Sequence, residues 1–269
     1  MIRVGCSGWS YRDWIHSFYP TGTDNLLRHY SGRFSTVEIN TSFYSIPSGK
    51  SVRAWITTVS GNRNFMFSVK MPGSITHDAL TQDIRKAVEL AEGFESSVLS
   101  IFSGKGVMGA CLIQLPPGIG EGNLETLYGF LSTLSTRKYR YVVEPRNREL
   151  FGDSKFAGRL AELEAGYVIS DSPMNVIETG NSGKESCYVR LHGRNNEGWK
   201  SPSDMMTRYN YSYSEEELAS ISEYVSRISS GSDDVFVYFN NHPFGNAPRN
   251  ASRLSDMLGL KGDPQGTLF

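Results

Sequence analysis

Polar residues that can do chemistry stand inside short apolar runs of this chain: Glu38 in STVEIN, Lys70 in FMFSVK, Gln114 in ACLIQL, Glu144 in RYVVEP and Asp171 in YVISDS. Arg190 and His192 share CYVRLHG, and Asn240 and Asn241 close VFVYFNN. Charged side chains are costly to bury without partners, so they form a satisfied network or serve a site. As chemistry, Glu144 or Glu38 would be the general base, with Lys70 and His192 as acid or as stabilisers of developing negative charge. Arginine forks at Arg190 and Arg146 suit phosphate or carboxylate oxygens, and Arg194, Arg12 and Arg249 add local positive charge. Asn40, Gln114, Asn240 and Asn241 would orient hydroxyls, and Asp171 is a further candidate catalytic carboxylate. Trp9, Tyr11, Phe43 and Tyr44 offer an aromatic wall for a sugar or base.

The elements that position these groups follow from hydrophobic periodicity. Eight apolar runs read as strands, and most precede a stretch with helical spacing, such as DIRKAVELAEGF or KFAGRLAELEA. That alternation, in 269 residues, predicts a single (β/α)₈ barrel of the TIM type over residues 1–260, with 261–269 as a tail. A doubly wound sheet is the alternative, but the first turn, SGWSY, lacks the dinucleotide glycine fingerprint, and SGKG fails as a phosphate loop. Alternate residues of a strand face opposite sides, and the helix side must be apolar. Val37, Ile39, Phe67, Val69, Ile113, Val143, Val189, Leu191 and Phe239 therefore face helices. Glu38, Asn40, Ser68, Lys70, Gln114, Glu144, Tyr188, Arg190, His192 and Asn240 face inward, toward the carboxyl ends where barrel sites are built. Ser214 and Glu217 have capping-box spacing ahead of Leu218, Ile221, Val225 and Ile228. Residues 193–213 read as a long loop without elements, and 180–183 as a mobile turn.

Bulk composition sets limits. Lys and Arg number 27 against 28 Asp and Glu, which gives no global reason to expect nucleic acid or membrane binding. Cys6, Cys111 and Cys187 are widely spaced and odd in number, so buried free thiols in a reducing compartment are expected. The N-terminus lacks a signal-peptide h-region and no stretch has the length of a membrane span, so the expected location is cytoplasmic.

The motifs GCSGWSYRDW, TVEINTSFYSIP, FMFSVKMPGSITH, LIQLPP, VEPRN, YVRLHGR and FNNHPFGNAPRNA resemble the YecE-like family of TIM-barrel proteins, a domain of unknown function (number 72). The resemblance runs from Gly5 to about Leu254 and implies the barrel and a polar pocket. The family commonly reads Glu-Phe-Arg-His after strand five. Here Glu144, Pro145, Arg146 and Asn147 stand instead, and Asn147 cannot act as a base.

The leading functional expectation is an enzyme acting on a small anionic ligand, phosphate-bearing or sugar-like, with its cofactor unknown. One alternative is a metal-dependent nuclease or phosphodiesterase using Glu38, His77, Glu144, Asp171, His192 and His242, which would make nucleic acid a partner. No close ligand spacing supports it, and nearby Lys70 and Arg190 disfavour a divalent metal. The other is a non-catalytic adaptor whose tail, through Gln265, Leu268 and Phe269, resembles peptides that dock on DNA sliding clamps.

Overall fold

A computed structural model describes residues 1–177, 188–200, 205–231 and 234–260. Cys187, the turn expected at 180–183, and Gln265, Leu268 and Phe269 of the tail lie outside the described residues. Nine strands are described: β1 (Ile2–Ser7), β2 (Thr36–Ile39), β3 (Met66–Lys70), β4 (Met108–Gln114), β5 (Tyr141–Glu144), β6 (Ala165–Tyr167), β7 (Ile169–Asp171), β8 (Tyr188–Leu191) and β9 (Val235–Phe239). The chain divides into two compact units, one of Met1–Glu38, Thr58–Phe65 and the described residues from Ile169 onward, the other of Ile39–Thr57 and Met66–Val168.

In the first unit the strand order is β2, β1, β9, β8, β7, and every pairing is parallel. Parallel strands need crossovers, and helices supply them. The helix Glu215–Ser229 begins with the expected capping box, in which Ser214 Oγ accepts from the Glu217 amide while the Glu217 side chain accepts from the Ser214 amide. Its buried face is Leu218, Ile221, Tyr224, Val225 and Ile228. Residues 193–213 differ from the loop expected of them: short helices form at Asn196–Lys200 and Met205–Tyr209. Few apolar residues there repeat at helical intervals, so periodicity gave no signal. Aromatic packing holds them instead, with the Trp199 and Tyr209 ring centroids 6.2 Å apart.

In the second unit the order is β6, β5, β4, β3, again parallel. The helix Ile84–Phe94 is capped by Asp83, whose carboxylate accepts from the amides of Arg85 and Lys86, and it buries Ala87, Ala91 and Phe94. YVISDS, expected as one strand, is divided at Val168: β6 pairs with β5 and β7 pairs with β8. The ladder changes partner there, so one apolar run makes two three-residue strands. The strand residues assigned to the helix side, from Val37 and Ile39 to Val189, Leu191 and Phe239, are all buried. No described helix is long and apolar enough to cross a membrane.

Candidate functional site

The polar residues of the first unit lie along a ladder from β2 to β7. Glu38, on β2, is fully buried, and its partner Arg190, on β8, is only 1% exposed. Arg190 donates from Nε to Glu38 Oε2 (3.0 Å) and from Nη2 to Oε1 (2.7 Å). Ser7 Oγ adds a bond to Oε1 (2.6 Å), and the Tyr188 hydroxyl another to Oε2 (2.7 Å). Alternation along β8 explains why Tyr188 and Arg190 reach the same carboxylate, since residues two apart share a face. Burial, reinforced by the charge of Glu38, pushes the Tyr188 phenol well above its usual pKa, so it stays a donor.

Asp171, at the end of β7, is equally buried and surrounded by donors. Arg194 reaches it from Nε (2.9 Å to Oδ2) and Nη2 (2.8 Å to Oδ1), and the Tyr213 hydroxyl and Ile177 amide each lie at 2.8 Å. Arg194 also bonds Glu217 (3.0 Å). Burial opposes the charge of Arg194, but the bonds to Asp171 hold its pKa above the ordinary arginine value. The same network shapes the backbone. Gly193 takes φ +85°, and a Cβ there would approach Tyr211 Cβ to 2.5 Å, so only glycine fits while its amide bonds the Tyr213 hydroxyl.

His192 is buried with its Nδ1 3.0 Å from Asn240 Nδ2. That contact fixes the ring against the residue following β9. Asn241 donates from Nδ2 to Tyr211 O and to Asn250 Oδ1, and its buried Oδ1 accepts no bond from the described residues. Rings extend from this group: His192 lies 6.0 Å from Tyr209, Tyr209 5.8 Å from His242, and His242 stacks on Tyr11 at 4.7 Å. The Tyr11 hydroxyl bonds Ser7 O (2.8 Å). Trp9 is half-buried, its carbonyl accepting the Tyr19 hydroxyl. Arg12 is exposed, and Arg249 bonds Asn246 Oδ1 (2.6 Å).

The second unit gathers its own group at the ends of β3, β4 and β5. Lys70 Nζ and Arg146 Nη2 both donate to Gln114 Oε1, at 3.1 and 3.0 Å. Arg146 lies 3.3 Å from Glu144, which is fully buried. The Lys70 ammonium also sits 4.0 Å from the centre of the Phe43 ring, a cation–π contact. Their positive charge is felt at His77, whose pKa is lowered first by burial and then by Lys70, with a smaller contribution from Arg146. Asn40 precedes the short helix Thr41–Phe43, and its carbonyl accepts the Phe43 amide (3.1 Å). Asn147, where the resemblance implies a histidine, caps the short helix Arg148–Leu150 by accepting from the Glu149 amide (3.1 Å). Tyr44 is 79% exposed and meets only the edge of Phe43 among described rings.

The expected residues thus fall into three groups: Glu38 with Arg190, and Asp171 and His192 with their partners, in the first unit; and Lys70, Gln114, Glu144 and Arg146 in the second. The aromatic wall divides, Tyr11 packing with His242 and Tyr44 with Phe43. Reasoning from sequence did not assign Ser7, Tyr213, Glu217 and Asn250 to these networks, which they join from the end of β1, a loop and two helices. The tyrosines of the NYSYS segment were the available signal, since a buried tyrosine normally has a partner for its hydroxyl. Among the described residues no group of three or more His, Cys, Asp or Glu is placed to hold a metal ion.

Comparison with known proteins places this architecture. The chain is 27% identical to the UPF0759 protein YunF of Bacillus subtilis over 278 residues, 97% of this chain and 96% of YunF. A DUF72 family protein of Thermotoga maritima superposes with a TM-score of 0.82 at 27% identity, covering 96% of this chain and 99% of that one. D-psicose 3-epimerase of Clostridium cellulolyticum shares the fold alone, with a TM-score of 0.58 at 12% identity over 96% of this chain and 99% of the epimerase. The fold is therefore an α/β barrel of the TIM class, as the strand pattern predicted, with the sixth strand divided. The family model described as protein of unknown function DUF72 matches residues 3–267, and the chain belongs to that family.

Proposed function

We propose that the protein is an enzyme for a small anionic ligand, phosphate-bearing or sugar-like, held at the carboxyl ends of β3 to β5. One observation carries this reading: Lys70 and Arg146, from different elements, aim their donors at the single oxygen Gln114 Oε1, with Glu144 buried beside Arg146. Two cationic donors converging on one oxygen form a cradle that a phosphate or carboxylate oxygen fits, since charge-assisted bonds are roughly twice as strong as neutral ones, while the Glu144 carboxylate 3.3 Å from Arg146 balances part of the charge. The location supports catalysis, because barrel enzymes build their sites at the carboxyl ends of strands.

Glu144 is the general base in this reading, and Lys70 stabilises the negative charge that develops once the proton has moved. Gln114 holds the cations in place until the ligand arrives. Glu38 and Asp171 have a different task. Glu38 accepts four hydrogen bonds, which fills the acceptor sites of a carboxylate, so it positions Arg190 and Tyr188 rather than taking a proton. Asp171 does the same for Arg194 and Tyr213. The free, buried thiols of Cys6 and Cys111 support a reducing, cytoplasmic setting. No observation favours the nuclease or the adaptor over this reading.

Thermal melting against sugar phosphates, sugar acids and nucleotides tests it. A ligand at a hundred times its dissociation constant adds about 2.7 kcal/mol, or a rise of roughly 5–10 °C for a chain of this size. The reading expects that rise with one anionic class and its loss in Arg146→Ala. It expects Glu144→Gln to keep the rise and lose turnover. No rise across the panel, or one that survives Arg146→Ala, overturns it.

A further inference from the structure

A cleft of about 360 Å³ lies in the second unit, beside the Lys70 group. Phe43, Tyr44, Ile46, Pro72, His77 and Asp78 line it. Its walls differ sharply in how they are held. Phe43 is fixed: Lys70 Nζ lies over its ring, His77 meets it edge-on at 4.9 Å, and Gly73 packs so closely that a Cβ there would come within 2.9 Å of Phe43 Cζ. Tyr44 and Ile46, by contrast, are 79% and 45% exposed. A large aromatic side chain displayed beside a packed phenylalanine ring is how proteins present stacking surfaces to flat rings. His77 lies at the polar edge, tied by Nδ1 to Thr76 Oγ1 at 2.9 Å, and is neutral near pH 7 because burial and the charge of Lys70 lower its pKa. Asp78 beside it offers an acceptor for an exocyclic amine.

Charge indicates what kind of ring belongs there. Phe43 is shared between two functions: its ring carries the Lys70 ammonium and also lines the cleft. A ligand spanning both would have a flat, uncharged ring at one end and an anionic group at the other. We propose that the cleft between Tyr44 and His77 is a base subsite, and that the ligand is a nucleotide whose phosphate is held by Lys70 and Arg146. This rests on the anion reading above and narrows it from phosphate-bearing compounds in general to those carrying a nucleobase.

The test is calorimetric titration of the full chain with adenosine, guanosine, cytidine and uridine monophosphates, ribose 5-phosphate and inorganic phosphate. Wild type should bind at least one nucleotide roughly tenfold tighter than ribose 5-phosphate, the scale of one stacked base. Tyr44→Ala, a change at an exposed side chain, should remove that advantage and leave ribose 5-phosphate affinity as it was. Arg146→Ala should weaken both ligands together. Equal affinity for nucleotides and ribose 5-phosphate overturns the base subsite while leaving the anion cradle standing, and so does a nucleotide preference that survives Tyr44→Ala. Failure of every phosphate to bind wild type overturns both. Capture of a protein partner through Tyr44 and Ile46, without nucleotide binding, would show the exposed patch to be an interface and also overturn the proposal.

Discussion

Arg190→Met isolates the physics of the buried ladder. The change removes a guanidinium that is 1% exposed and donates to both oxygens of Glu38, at 2.7 and 3.0 Å. Methionine fills much of the same volume without charge, so the cost comes mainly from the carboxylate left behind. Ser7 and Tyr188 still donate to it, but two neutral hydroxyls do not replace an opposite charge in a protein interior. Removing one partner of a buried pair costs about 3–5 kcal/mol, which for a chain of this length lowers the melting temperature by roughly 6–20 °C. Rescue separates this account from simple loss of packing. Adding Glu38→Gln should recover most of the loss, because a neutral amide can bond both hydroxyls without needing a cation. Arg190→Met with Glu38→Gln should therefore be more stable than Arg190→Met alone. Urea unfolding of the two single variants and the double variant gives the coupling energy directly. A deficit under about 1 kcal/mol, or a double variant no more stable than Arg190→Met, would refute the reasoning.

Asp171→Asn should destabilise by roughly 2 kcal/mol, the worth of charged hydrogen bonds, and speed amide hydrogen exchange at Ile177, whose N–H bonds that carboxylate; unchanged exchange would contradict the network. Gly193→Ala should cost about 1–3 kcal/mol in denaturant unfolding, because alanine at φ +85° is strained and its Cβ meets Tyr211. His77 and His242 both have pKa values lowered, chiefly by burial, so the unfolded chain binds their protons more readily. Stability should therefore be full above the unfolded histidine value near 6.5 and decline as pH falls below it, and His242→Gln should flatten that decline in a melting series.

Much of the barrel was legible because its signals are local. Short apolar runs bounded by turns gave the strands, and alternation within TVEIN and YVRLHG put Glu38, Tyr188 and Arg190 on one face, where the hydrogen bonds found between them require them to be. The capping box at Ser214 and Glu217 was legible for the same reason, since its two partners are three residues apart. What escaped notice depends on long-range contact. Asp171 reads as an available carboxylate at a strand end, yet Tyr213 and Arg194 reach it from 42 and 23 residues away. Nothing in the spacing announces that meeting. The short helices at Asn196–Lys200 and Met205–Tyr209 lack a repeating apolar face and form around aromatic packing, which periodicity does not detect. Asn147 shows the limit of reading by resemblance: the departure from the family pattern was visible, but its use as a helix cap emerged only from the Glu149 amide bonded to it.

The central claim is that an anion binds between Lys70 and Arg146, and His77 is a reporter already in place. Its pKa is depressed by burial and by the positive charge of those two side chains. A histidine NMR titration with and without a saturating phosphate ligand would measure the change. A bound anion should offset that charge and raise the His77 pKa, and Arg146→Ala should diminish the rise. A His77 pKa that does not move while the ligand is demonstrably bound would place the anion elsewhere and contradict the account.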